Sequence, residues 1–134
     1  MITVDEINIP EVMAEVRAAF DRYEAALLKN DTEILDAMFL PSDDMIRYGV
    51  ADIQYGPEEL RAWRAHQSPF ERRLFDTRIV TYGRDVAIAA TLFCRSDAPD
   101  DIGRQMQTWL HTKDGWRIVA AHVSTVLKQA MEMS

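Results

Sequence analysis

Two polar side chains stand out because each occupies a place where the surrounding pattern calls for an apolar residue. Tyr23 falls within the stripe Val12, Val16, Phe20, Tyr23 and Leu27, whose spacings of three and four mark one face of an amphipathic helix. Its hydroxyl must either bond to backbone inside the core or open into a cavity, where it could deliver a proton. Arg47 alternates with apolar neighbours in Met45-Ile46-Arg47-Tyr48, and a guanidinium placed there needs an anionic partner. That partner is an internal acid such as Asp43 or Asp44, or else the carboxylate of a bound molecule gripped by two parallel N–H bonds.

A third group lies late in the chain. Asp114-Gly115 between two alternating runs predicts a two-residue hairpin turn. If Lys113 faces Trp116, Gln107 pairs with His122, Gln105 with Ser124 and Trp109 with Ala120. One face then gathers Gln107, His122 and Ser124 as a substrate-binding wall, and the other carries Met106, Leu110, Val119, Ala121 and Val123 as packing. The grouping depends on register, since a slip by one residue sends side chains to opposite faces. A histidine in so apolar a setting can equally be structural. Trp63 reads as a core residue or as a lid over a substrate pocket, and Trp109 and Trp116 as packing. His66, His111 and His122 lack metal-ligand spacing, and no P-loop, dinucleotide fingerprint or nucleophile elbow occurs. The site is therefore expected to hold no metal and to need no cofactor.

The elements that must position these residues follow from periodicity. Pro10 to Asn30 predicts a first helix, with Pro10 in its first turn. Asp31 and Thr32 cap a short second helix carrying Ile34, Leu35, Met38 and Phe39, stopped by Pro41. Asp44 to Val50 predicts a strand with Met45 and Arg47 on one face, and Asp52 to Tyr55 a second. Gly56-Pro57-Glu58-Glu59 opens a third helix in which Leu60, Trp63, Arg64 and Gln67 share a side. Then Arg72 to Tyr82, Asp85 to Arg95, Ile102 to Lys113 and Trp116 to Leu127 read as four strands. Helices first and a strand meander later argue an α+β fold with an antiparallel sheet.

The bulk numbers bound the function. At 134 residues, the chain matches one domain, expected to span 1–134. A net charge of -7 disfavours nucleic acid and anionic membranes as partners. The single cysteine, Cys94, precludes an internal disulfide and fits a reducing, cytoplasmic setting. No apolar run approaches the roughly 18 residues of a membrane span, and the N-terminus carries no secretory pattern. Val86, Ile88, Ala90 and Leu92 alternate with Ala87, Ala89 and Phe93, so this strand is apolar on both faces. Three helices cannot cover both, and a homodimer formed through the sheet would.

The order of elements, with Gly56-Pro57-Glu58 before the third helix and Trp116-Arg117-Ile118-Val119-Ala120-Ala121-His122-Val123-Ser124 at the end, resembles the nuclear transport factor 2 (NTF2, SnoaL/cystatin-like) superfamily. Within it, Gly103-Arg104-Gln105-Met106-Gln107-Thr108-Trp109 followed by Asp114-Gly115-Trp116 resembles the AtzH/HpxZ-like family, associated with amidases of nitrogen catabolism. The resemblance implies a cone: three N-terminal helices on a strongly curved mixed, mostly antiparallel sheet, enclosing a pocket. It also implies an amidohydrolase that removes a terminal carboxylate from a carboxylated urea, turning 1,3-dicarboxyurea into allophanate in cyanuric acid breakdown. Tyr23 within Asp21-Arg22-Tyr23-Glu24 and Arg47 within Met45-Ile46-Arg47-Tyr48 match the residues that the resemblance makes catalytic, and the implied partner is a small anionic ureido substrate. Steroid isomerases of the superfamily look similar around Tyr23, but their general-base aspartate would fall near Arg47, which points away from enolisation. Two other readings stay open: a non-catalytic accessory or assembly protein of an amidase system, and another lyase or isomerase of this fold.

Overall fold

The computed structural model describes residues 1–132; the last two residues of the expected 1–134 span lie outside them. Helix α1 (Pro10–Lys29) starts on proline and ends where Asn30 turns left-handed, at φ 54°. The Asp31 side chain accepts from the Ile34 N–H at 3.3 Å and caps α2 (Thr32–Ala37). Strands β1 (Ile46–Tyr48) and β2 (Ile53–Tyr55) form a short hairpin before α3 (Gly56–Arg64). The long strands β3 (Arg72–Tyr82), β4 (Val86–Arg95), β5 (Asp101–Thr112) and β6 (Gly115–Leu127) follow, then a short α4 (Lys128–Glu132). The fold is α+β, and α4 adds a C-terminal helix to the three expected at the N-terminus.

The six strands form one sheet in the order β2-β1-β6-β5-β4-β3. All neighbours are antiparallel except β1 and β6, which run parallel and make the sheet mixed. The stripe of α1 packs onto its inner face, where Phe20, Leu35, Met45, Leu60, Trp109 and Ile118 lose nearly all solvent exposure. Burying each such side chain contributes about 1.5–3 kcal/mol. Trp116 adds a polar tie, its indole N–H donating to Glu15 of α1 at 3.1 Å.

Two irregularities bend the sheet. In β3, Asp76 and Thr77 together oppose Thr91, with Asp76 at φ 50°. In β6, Ala120 pairs with Thr108 and Ile118 with Trp109, leaving Val119 without a partner. Extra residues of this kind kink a strand and increase its local twist.

The Val119 bulge corrects the predicted register. Gln107 pairs with Ala121 rather than His122, Gln105 with Val123 rather than Ser124, and Trp109 with Ile118 rather than Ala120. The turn itself falls on Lys113-Asp114, because Thr112 pairs with Gly115 and the Thr112 hydroxyl bonds both to the Gly115 carbonyl, at 2.7 Å, and to the Asp114 N–H, at 3.2 Å. Moving the turn by one residue changes every pairing by two and keeps each side chain on its face. The bulge adds the odd residue that swaps them. His122 and Ser124 consequently share the outer face with Met106 and Arg104, while Ala121 and Val123 turn inward beside Gln107 and Gln105.

Candidate active site

The interior of the curved sheet holds a cavity of about 420 Å³. Its apolar lining includes Leu27, Trp63, Phe93 and Val123, and four arginines also reach it: Arg47, Arg64, Arg72 and Arg95. The exposed segment from His66 to Pro69, followed by Phe70, forms part of the rim.

Tyr23 comes from the buried stripe of α1 and is 5% exposed. Phe39 and Trp109 meet its ring edge to face, at centroid distances of 6.2 and 6.4 Å. These contacts fix the ring, and the residue lines the cavity. Among the described residues its hydroxyl has no hydrogen-bond partner.

Arg47 occupies the middle of β1, inward-facing as alternation predicts, and is 9% exposed. Neither Asp43 nor Asp44 partners it. Nη1 donates to Asp52 Oδ2 and to Gln54 Oε1, each at 2.7 Å, and Gln54 Nε2 donates to the same Asp52 oxygen at 2.9 Å. Gln54 is the cross-strand partner of Arg47 on β2, so pairing alone brings it within reach. Asp52 gets there because residue 49 is glycine: a Cβ on Gly49 would lie 2.2 Å from the Asp52 carboxylate. The guanidinium carbon lies over the Trp63 ring, 3.9 Å from its centroid. Nε and Nη2 of Arg47 bond to no described residue and are not sealed by packing. One donor edge therefore remains for an acceptor in the cavity that Arg47 lines.

The other arginines are anchored from behind in the same manner. Arg64 Nε donates to Asp36 at 2.8 Å, while its Nη2 is buried without a partner. Arg72 donates from Nε and Nη2 to Glu24, at 3.0 and 2.5 Å, and from Nη2 to Gln105 Oε1 at 3.0 Å. Arg95 forks onto Asp97 at 2.8 and 2.9 Å and stacks over Phe70, 4.0 Å from its centroid. That fork holds the Asp97 carboxyl below its usual range and pushes the Arg95 guanidinium up. Of the anchoring acids only Asp97 lines the cavity; Asp36, Asp52 and Glu24 neutralise charge from outside the lining. The interior thus presents donors in excess of acceptors, an arrangement complementary to a small anion. Among the described residues, no three His, Cys, Asp or Glu side chains gather as a metal site.

Of the expected substrate-binding residues, Trp63 lines the cavity. Gln107 faces inward but lies deeper, its Oε1 accepting from the Trp109 indole N–H at 3.1 Å. His122 and Ser124 are separated from the cavity by the sheet: His122 packs against Tyr48 and lines an outer groove, and Ser124 accepts from Arg104 at 3.2 Å. Sequence reading passed over Arg64, Arg72, Arg95 and Gln105 as site residues. Arg64 carried a signal, since it shares the side of α3 that buries Leu60.

The architecture is that of the NTF2-like class: an NTF2-like protein of Pseudomonas putida superposes with a TM-score of 0.72 at 16% identity, with 87% of each chain covered. Within that class the chain belongs to the AtzH-like family, whose model matches residues 5–129. A protein of unknown function from Pectobacterium atrosepticum is 48% identical, with a TM-score of 0.91 over 94% of this chain and 99% of its own. A cystatin-like fold protein from Burkholderia xenovorans is 44% identical, with a TM-score of 0.87 over 91% and 97%. Comparison with curated proteins finds none that matches. No helix among the described residues is long and apolar enough to cross a membrane.

Proposed function

We propose that the chain is a cofactor-independent amidohydrolase that removes a terminal carboxylate from a carboxylated urea, converting 1,3-dicarboxyurea to allophanate. One observation carries the reading: the unpartnered Tyr23 hydroxyl and the open donor edge of Arg47 belong to one cavity whose polar lining includes four arginines. Arg47 holds a carboxylate of the substrate through two charge-assisted N–H bonds and fixes its orientation against the Trp63 face. The bond between the ureido nitrogen and the terminal carboxyl carbon then breaks. Its electron pair stays on nitrogen, Tyr23 supplies the proton that nitrogen takes up, and carbon dioxide departs. The phenolate regains its proton from water.

The test is incubation of the purified protein with carboxylated ureas, following carbon dioxide and allophanate above the rate in buffer alone. The two products should form in equal amounts, and Tyr23→Phe should slow their formation by about 100-fold or more, the usual scale for one general acid. Unchanged turnover in that variant would reduce Tyr23 to packing. One observation favours a second reading, an accessory protein of an amidase system: Asp52 and Gln54 already satisfy Nη1 of Arg47. Absence of product across the panel of ureas would support it.

We also propose a homodimer through the outer sheet face, where Met106 is 55% exposed beside a groove of about 360 Å³ lined by Ala90, Leu92 and His122.

A further inference from the structure

The segment Gly103-Arg104-Gln105 takes no part in the chemistry just described, yet the structure gives its inward-facing members a joint task. A Cβ on Gly103 would lie 2.0 Å from Phe93 Cζ, so only glycine admits the ring. Phe93, 4% exposed, occupies that space and lies 4.5 Å under the Arg72 guanidinium. Glu24, next to Tyr23 on α1, holds the same guanidinium along its Nε and Nη2 edge. Gln105 completes the frame with its carbonyl oxygen, which accepts from Arg72 Nη2 at 3.0 Å.

This frame leaves two donors over. Because Oε1 of Gln105 is committed to Arg72, its Nε2 is turned away from that arginine, and it is buried without a partner. Nη1 of Arg72 also bonds to no described residue. Both residues line the same cavity as Arg47. They enter it from β5 and β3, whereas Arg47 enters from β1, with β6 between β1 and β5. At about 4.8 Å per strand step and 3.4 Å per residue, the Arg47 and Gln105 backbones stand roughly 12 Å apart across the sheet. A buried amide without an acceptor destabilises a fold, and a ligand acceptor placed there removes that cost.

We propose that Arg72 and Gln105 form a second donor subsite, so that the cavity selects molecules carrying an anionic group at both ends over those carrying one. The inference rests on the reading of this cavity as the substrate site and adds to it the residues that recognise the far end of the ligand. Gln105 supplies the discriminating donor. Arg72, Glu24, Phe93 and Gly103 hold it in place.

Calorimetric titration with two stable probes tests this without requiring turnover: glutarate, with two carboxylates, and butanoate, the same chain with one removed. The wild-type protein should bind glutarate at least about tenfold more tightly, the scale of one hydrogen bond to a charged group. Gln105→Met, which removes the donor at similar volume, should bring glutarate to within about threefold of butanoate and leave butanoate unchanged. Gln105→Glu keeps an acceptor for Arg72 while removing the free donor, and it too should lose the preference. Equal binding of the two probes by wild type, or a preference that survives in both variants, overturns the proposal. Equal weakening of both probes in Gln105→Met also overturns it. A protein that shows the Gln105-dependent preference but releases no carbon dioxide keeps the subsite and loses the reaction. One that turns over without the preference does the reverse.

Discussion

Replacing Arg47 by lysine preserves the charge and removes the shape, which makes it the sharpest probe of the proposed chemistry. In the wild-type protein a single nitrogen, Nη1, satisfies Asp52 and Gln54 at 2.7 Å each, leaving Nε and Nη2 for a ligand. A lysine ammonium has all its donors on one nitrogen. Directed at Asp52, it cannot also present a planar pair of N–H groups to a substrate carboxylate. Losing one charge-assisted bond of about 1.5–3 kcal/mol predicts a fall in kcat/KM of roughly 10- to 100-fold. The contact with Trp63 at 3.9 Å weakens as well, because an ammonium does not stack on the ring as a guanidinium does, and this costs up to about 2 kcal/mol of stability. For a domain of this size that lowers the melting temperature by up to roughly 8 °C. The assay is initial-rate formation of allophanate over a range of substrate concentrations, with a thermal melt of the same sample. A variant whose kcat/KM stays within twofold of wild type refutes the fork, and if its melting temperature has fallen as expected, Arg47 serves the fold alone.

Three further outcomes follow from other parts of the molecule. Gly103→Ala forces the Phe93 ring to move, since the new methyl would sit 2.0 Å from Cζ; overpacking of this kind costs about 1–3 kcal/mol, to be measured by denaturant unfolding. The same variant should weaken glutarate binding through the displaced Arg72. Met106→Asp places a charge beside Ala90 and Leu92 on the outer face and should shift sedimentation from the proposed dimer to monomer; an unchanged dimer would locate the interface elsewhere. The Arg95–Asp97 fork holds the Asp97 carboxyl below its ordinary value of about 3.8. Its stabilisation is present above that ordinary value and is lost as pH falls through the lower folded-state value. The melting-temperature difference between wild type and Asp97→Asn should accordingly be constant above pH ~5 and shrink only below pH ~4. A difference that changes between pH 6 and 8 would contradict this.

Periodicity was a good guide wherever a local rule decides the outcome. The stripe from Val12 through Tyr23 fixed the buried face of α1, Asp31 fixed the start of α2, and alternation turned Arg47 inward on a strand of three residues. The arginine partners were less legible, because they depend on where the chain returns. Asp52 reaches Arg47 through a hairpin that needs glycine at position 49. Arg72 meets Glu24 across 48 residues of sequence. Nothing local distinguishes these acids from the many exposed ones in so acidic a chain.

The largest difference between expectation and structure turns on one residue. Val119 is an ordinary β-branched strand former, and nothing in Trp116-Arg117-Ile118-Val119-Ala120-Ala121 marks it as the residue that leaves the ladder. Once it does, the inward set on β6 becomes Ala121 and Val123, small apolar side chains that leave room beside Gln105. The outward set becomes His122 and Ser124 beside Met106 and Arg104. The bulge thus separates two polar groups that an unbroken ladder would have merged. The cavity keeps the guanidinium and amide donors suited to binding an anion, and the histidine goes to the face proposed for dimerisation. Deleting Val119 would remove the unpaired residue and leave Ala120 opposite Thr108 and His122 opposite Met106, so His122 should stay on the outer face. Ala121 and Val123 then still border the space for a ligand, and the deletion variant should keep its glutarate binding; loss of binding with the sheet intact would show that the bend made by the bulge itself shapes the cavity.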